Sequence, residues 1–151
     1  MTGARADDPA RLARACAEAM WAEDRASAGL GMRLERIAPG QAVMAMTITE
    51  AMVNGPGICH GGFIFALADS AFAFACNSHG ERAVAQYASI SFLRPGRLGE
   101  TLRAEAVERA RSGRSGICDV RVTGLDGSLI AEFRGHSRLA GGPFFPPGDT
   151  R

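Results

Sequence analysis

The sequence predicts an α+β domain in which one long central helix is wrapped by a five- to six-stranded antiparallel sheet. Three observations carry this. Segment 60–78, HGGFIFALADSAFAFACNS, is apolar around nearly its whole helical circumference and therefore has to be buried on all sides. The other ordered stretches are short, alternate at a period of two and are separated by Pro/Gly turns. Their order is helix, two strands, long helix, four strands. The 151 residues leave room for one core, and 46% hydrophobic with 22% charged residues is the balance of a soluble globular chain.

The elements follow in order. From Pro9 to about Ala26, Leu12, Ala15, Cys16, Ala19 and Met20 recur at helical spacing among Arg and Glu, which predicts a modest amphipathic surface helix in an N-terminal segment 1–28. The main domain, residues 29–140, opens on a hairpin: 32–37, a Pro39-Gly40 turn, then Val43, Ala45 and Thr47 alternating with Met44, Met46 and Ile48. A glycine-punctuated loop, 49–59, leads into the long helix, which at about 18 residues is roughly 27 Å long. Strands are expected at 84–93, 101–109, 117–123 and 129–139, forming an antiparallel meander through the turns Ser112-Gly113 and Asp126-Gly127. The tail 141–151, GGPFFPPGDTR, has too much Pro and Gly to continue the sheet and is expected to be loose. A sheet wrapping one helix leaves that helix open on its far side, so an apolar far side predicts a partner subunit and a homodimer.

Composition removes several function classes. With 17 basic and 16 acidic residues the formal charge is +1, which leaves no large basic surface for nucleic acid. All the basic residues are arginine. Cys16, Cys59, Cys76 and Cys118 are widely spaced and form no metal-binding pattern, so no metal is expected. The N-terminus has no continuous apolar stretch of a secretory signal, and the long helix is too short to span a bilayer and carries Asp69. A cytoplasmic protein with reduced thiols, without membrane contact, is the expectation.

Asp69 is the only ionisable group between Gly61 and Cys76. Burying an unpaired carboxylate is costly, so it needs a reason. One reason is a structural bond to a nearby strand; the other is a nucleophile or general base in a desolvated cleft. Ser70 beside it is placed either to orient a water or the carboxylate, or to bond its own helix. At the helix start, His60-Gly61-Gly62 offers unshielded N–H donors that a bulky ligand can approach, as an oxyanion hole requires, or forms a flexible junction. His60 is a cap, a loop anchor or an acid/base group, and Asn54 holds a water or the loop. Cys59 is a weaker rival nucleophile with no orienting third residue. His79 and His136 read as surface or strand residues. Arg94, Arg97, Arg109, Arg111, Arg114 and Arg138 read mainly as a solvated strand face, with contact to ligand phosphates the alternative. Gly61 and Asp69 are separated by about 12 Å along one helix. They cannot touch one carbonyl in cis, and two helices packed antiparallel across a two-fold axis would bring them together in trans.

Taken in order, Asn54-Gly55, His60-Gly61-Gly62, Leu67-Ala68-Asp69-Ser70-Ala71, Ala75-Cys76-Asn77-Ser78, Ser91-Phe92-Leu93-Arg94-Pro95-Gly96 and Phe133-Arg134-Gly135 resemble the hotdog-fold thioesterases of the phenylacetate-degradation (PaaI-like) group. The resemblance runs from about Gly29 to Gly142. It implies a hotdog fold, dimers that pair into tetramers, and hydrolysis of acyl-coenzyme A, with an aryl or phenylacetyl-type acyl group expected. No cofactor is implied, because coenzyme A enters as part of the substrate. By position, Asp69 matches the catalytic carboxylate and Gly61 the residue whose N–H polarises the thioester carbonyl. Asn54 and His60 match supporting positions, and Ser70 sits where the family has Thr or Ser. Gly62, Arg94 and Arg138 are the expected contacts to the coenzyme A moiety. Pro56-Gly57-Ile58 and the acyl-pocket lining depart from the pattern. A non-catalytic acyl-CoA binder and a hotdog enoyl-CoA hydratase are the alternatives.

Overall fold

The computed structural model describes residues 8–147 and residue 149. Asp8 accepts from the Ala10 N–H and Pro9 takes the first helical position, so α1 (Pro9–Glu23) starts where the chain supplies a cap. The single helix expected to reach Ala26 is broken at Asp24, which caps a second short helix, α2 (Arg25–Gly29), by accepting from the Ser27 N–H. Nor is α1 confined to the surface. Its Ala13, Cys16 and Ala17 are buried, and Trp21 packs 6.3 Å from Phe74 of the long helix.

That long helix, α3 (Gly61–Cys76), ends two residues before the expected Ser78, because Asn77 and Ser78 have other bonds to make. The Asn77 side chain donates to Ala73 and Ala83 carbonyls and accepts from the Ala83 N–H. Ser78 donates to the Ala75 carbonyl and accepts from the Gly40 N–H, tying the helix end to the Pro39-Gly40 turn.

Six strands, β1 (Arg33–Ala38), β2 (Gln41–Thr47), β3 (Glu81–Phe92), β4 (Thr101–Ser112), β5 (Ser115–Gly124) and β6 (Leu129–Pro143), form one antiparallel sheet. Its order is β1-β2-β4-β5-β6-β3, and α3 touches every strand. The expected meander is therefore correct for β4, β5 and β6 and wrong for β3, which pairs with β6 at the far edge. The eight residues 93–100, with Pro95 among them, are longer than a hairpin turn and cross three strand spacings, about 14 Å. β6 also runs past the expected stop at 139: Pro143 pairs with Glu81, and the Phe144 N–H donates to the Gly80 carbonyl. Residues 148, 150 and 151 of the tail expected to be loose, and residues 1–7 of the N-terminal segment, lie outside the described residues.

The core joins the α3 side chains Leu67, Phe72 and Phe74 to Met44, Met46, Leu102, Val120, Val122 and Ile130 of the sheet. From residue 63 to 76 none is fully exposed, yet Phe63, Phe65, Ala66, Asp69, Ser70 and Ala73 are only partly buried, so α1, α2 and the sheet leave a stripe of α3 open within one protomer. The exposed large apolar side chains are Val84, Tyr87 and Phe92 on β3, Leu93 and Leu98 in the crossing segment and Leu125 in the β5–β6 turn. The partly buried stripe on α3 and the apolar side chains along the β3 edge are the surfaces a partner could cover.

Gly135 marks how tightly helix and sheet meet, since a Cβ there would lie 2.7 Å from the fully buried Phe72 ring. Gly135→Ala should cost about 1–3 kcal/mol of stability by overpacking. Gly55→Ala, with open space around it, should stay within about 0.5 kcal/mol. Denaturant melts of the two variants check this.

Candidate active site

The loop before α3 is shaped by its own backbone. Val53 bridges Cys59, the Asn54 N–H donates to the Ile58 carbonyl at 2.9 Å, and the Asn54 Oδ1 accepts from the Ile58 N–H at 3.3 Å. The Asn54 amide nitrogen keeps its donors free, and Asn54 lines a cleft of about 500 Å³ with Ile58, Cys59, Gly61, Ile64, Phe92, Leu93, Arg94 and Pro95. The crossing segment forms the opposite wall, anchored where the Cys59 N–H donates to the Gly96 carbonyl.

Gly61 is the first residue of α3 and faces this cleft. A first-turn N–H has no partner within its own helix and carries the positive end of the helix dipole. The neighbouring amide is spoken for: the Gly62 N–H donates to His60 Nδ1 at 3.0 Å. His60 is thus the helix cap, and an accepting Nδ1 leaves the proton of the neutral ring on Nε2. Gly62, expected to contact coenzyme A, spends its donor on that cap instead.

Asp69 sits two turns further along α3, half-buried. It has no hydrogen-bond or ion-pair partner among the described residues, and burial pushes its carboxyl above the usual aspartate range. The structural bond to a strand, one of the two reasons offered for it, is absent. Nor does Asp69 line the cleft that holds Gly61 and Asn54, which agrees with the separation of about 12 Å along the helix. One protomer therefore brings Asn54, His60 and Gly61 together and leaves Asp69 apart.

Ser70 turns away from its neighbour. The Ser27 hydroxyl donates to Asp24 Oδ2 at 2.6 Å, so its single proton is used, and in the 2.8 Å contact between Ser27 and Ser70 it is Ser70 that donates. This chain locks α2 onto α3. The Asp24-x-x-Ser27 cap is legible in the sequence; its partner 43 residues away is not.

Arg94 touches the cleft but is fully engaged. Its guanidinium pairs with Glu100 at 2.6 Å and donates to Ser128 and the Pro95 carbonyl, clipping the crossing segment to the β5–β6 turn. The pairing holds the Glu100 carboxyl below its usual range. Arg138 lies at the other end of the sheet, opposite Val84, whereas Phe92 opposite Ala131 borders the cleft. Eight strand residues, about 26 Å, separate the two places, so Arg94 and Arg138 of one chain cannot hold the same phosphate. Arg109 and Arg134 both pair with Asp119 on the outer sheet face, as a solvated strand face requires, whereas Arg111 reaches Glu108, whose side chain is only 9% exposed. His79 joins that set at 2.9 Å from Glu108, and His136 lies edge-on to Tyr87.

A second groove, about 560 Å³ between α1 and β1, is lined by Ala17, Trp21, Met32, Leu34 and Ile37 with Arg14, Glu18 and Arg33, and no glycine turn opens onto it. Among the described residues no group of three His, Cys, Asp or Glu is placed to hold a metal, and no helix is long and apolar enough to cross a membrane.

Comparison with known proteins agrees with this geometry. Residues 56–131 match the family model described as the thioesterase superfamily. The chain is 44% identical over 126 residues to the acyl-coenzyme A thioesterase PaaI of Escherichia coli, covering 83% of this chain and 90% of that protein. The solved structure of the E. coli PaaI protein from the phenylacetic acid degradation operon superimposes with a TM-score of 0.88 at 41% identity, over 90% of this chain and 99% of that one. A Streptococcus mutans protein bound to acetyl CoA superimposes with a TM-score of 0.71 at 25% identity, over 74% and 90%. The fold is the hotdog fold, and the chain belongs to the thioesterase superfamily.

Proposed function

We propose that this protein hydrolyses acyl-coenzyme A thioesters, at sites that two protomers build together. The observation that carries the reading is the unpaired, half-buried Asp69 on the same apolar helix that presents the Gly61 N–H to an apolar cleft. In the reaction the Gly61 N–H, reinforced by the helix dipole, stabilises the oxyanion that forms on the thioester carbonyl. Asp69 of the other protomer either attacks the carbonyl carbon, giving a mixed anhydride that water then hydrolyses, or removes a proton from the attacking water. The thiolate of coenzyme A leaves without needing a strong acid, so the chemistry uses no metal or cofactor. Asn54 and the His60 cap hold the loop and first turn around the carbonyl.

The unpaired outer edge of β3 is the surface that supports a dimer. It is a strand of 12 residues at the end of the sheet with exposed Val84, Tyr87 and Phe92, and such an edge invites pairing with another chain. Antiparallel pairing of two β3 edges runs the two α3 helices antiparallel. A register that sets Gly61 opposite Asp69 puts the axis level with Phe65. The same reading has these dimers pair into a tetramer, which native mass spectrometry reads directly. The acyl group is of aryl or phenylacetyl type: the cleft walls are Ile58, Ile64, Phe92 and Leu93, and the E. coli relative comes from a phenylacetic acid degradation operon. Four free cysteines, all buried, suit a cytoplasmic protein.

Asp69→Asn should lower kcat by about 10²–10⁴-fold while the oligomer persists. The pH dependence has a definite sign. Burial raises the folded-state pKa of Asp69 and the ionised form is the active one. Activity of the wild type should therefore fall, as the pH drops, at a higher pH than an ordinary aspartate would give. Because the folded state favours the proton, stability declines as pH rises from the unfolded to the folded pKa. At neutral pH Asp69→Asn should be at least as stable as the wild type. Thiol-release assays from pH 4 to 8, with melts alongside, test both signs.

The rival nucleophile Cys59 is buried and its thiol pKa is raised, which opposes thiolate formation. Cys59→Ser should keep most of the wild-type kcat. A loss matching that of Asp69→Asn, with the oligomer intact, would exchange their roles.

A further inference from the structure

Among the residues around the cleft, Phe92 is the one whose position bears on which acyl group fits. It is the last residue of β3, and its backbone is fixed by pairing with Ala131, while the next residue, Leu93, donates its N–H to the Ile130 carbonyl. Its side chain is not fixed in the same way, being 50% exposed. The ring comes edge-on to the first turn of α3: a Cβ built on Gly61 would lie 2.9 Å from Cζ, 3.2 Å from Cε1 and 3.4 Å from Cε2. Gly61 is thus glycine for two separate reasons, an open amide on one side and room for an aromatic ring on the other. Of the other lining residues, Ile58, Ile64, Leu93 and Pro95 are aliphatic, Asn54 and Cys59 are small and polar or thiol-bearing, and the Arg94 guanidinium is held by Glu100 and Ser128. Among the described residues Phe92 is the sole aromatic group lining the cleft.

We propose that Phe92 is the specificity-determining residue of the acyl site, its ring forming the wall against which the acyl group of a thioester on the Gly61 amide must lie. The inference rests on the thioesterase reading and deepens it. A flat aromatic acyl group gains an edge or offset ring contact there. A short linear acyl group reaches the same amide while covering little of the ring, and a branched one meets the ring edge.

The test compares kcat/KM for phenylacetyl-CoA and butyryl-CoA in the wild type, Phe92→Leu and Phe92→Tyr. Phe92→Leu should lower the phenylacetyl-to-butyryl ratio about 10-fold, mainly through the aryl substrate. Phe92→Tyr, which keeps the ring, should hold the ratio within about 3-fold. Melting curves report whether either variant is folded, and native mass spectrometry whether it keeps the oligomer, since Phe92 also lies on the β3 edge proposed to pair. An unchanged ratio in a folded Phe92→Leu, or an equal loss on both substrates, overturns the assignment. So does a ratio in Phe92→Tyr that falls as far as in Phe92→Leu. Wild-type protein that releases thiol from butyryl-CoA and not from phenylacetyl-CoA also overturns it, whereas no release from any acyl-CoA would fail the thioesterase reading itself.

Discussion

The structure is arranged around an apolar helix that has to be covered on most of its circumference. Sixteen residues of α3, nearly all apolar, are covered by six strands on one side and by α1 and α2 on another. Covering them fixes the curl of the sheet and the path of the crossing segment. It also sets the price of the single carboxylate among them. Asp69 has no partner to offset its desolvation, and burial raises its pKa. A carboxylate kept under those conditions is a better base and a less solvated nucleophile than one on the surface.

The same helix sets the distance that divides the site. Its geometry puts about 12 Å between Gly61 and Asp69, and no side-chain rotation closes that gap. The cleft at the helix start accordingly holds Gly61, Asn54 and Phe92, and no carboxylate among the described residues. What one protomer lacks, a second supplies if the β3 edges pair. The polar outer face, laced by Asp119 with Arg109 and Arg134, leaves the apolar edge strand as the better surface for that pairing.

Local signals in the sequence carried most of the elements and drew attention to Asp69. The apolar circumference of 60–78 marked α3, alternation marked the strands, and Asp69 stood out by the absence of any other charge on its helix. What stayed hidden depends on contacts between distant residues. That β3 pairs with β6 and not β4 follows from the course of residues 93–100, where the turn after Phe92 looks locally like any other. Arg94 reads as a free cation until Ser128, 34 residues on, is placed against it. Ser70 reads as a neighbour of the carboxylate until Ser27 takes its proton. Gly62 is the exception: its amide is satisfied two residues away by His60, a cap of a residue type seldom used for that purpose.

The central claim is that Gly61 and Asp69 meet across a protomer interface. The most direct measurement is activity in purified mixed dimers of two inactive chains. Gly61→Pro removes the amide donor at a first-turn position that tolerates proline, the half-exposed Phe92 ring being free to give way. Asp69→Ala removes the carboxylate. A mixed dimer then holds one site with both intact groups and one with both lesions. It should recover about half of the wild-type activity per dimer, because two symmetric sites contribute equally. Mixed dimers as inactive as their parents would show that the two groups do not share a site.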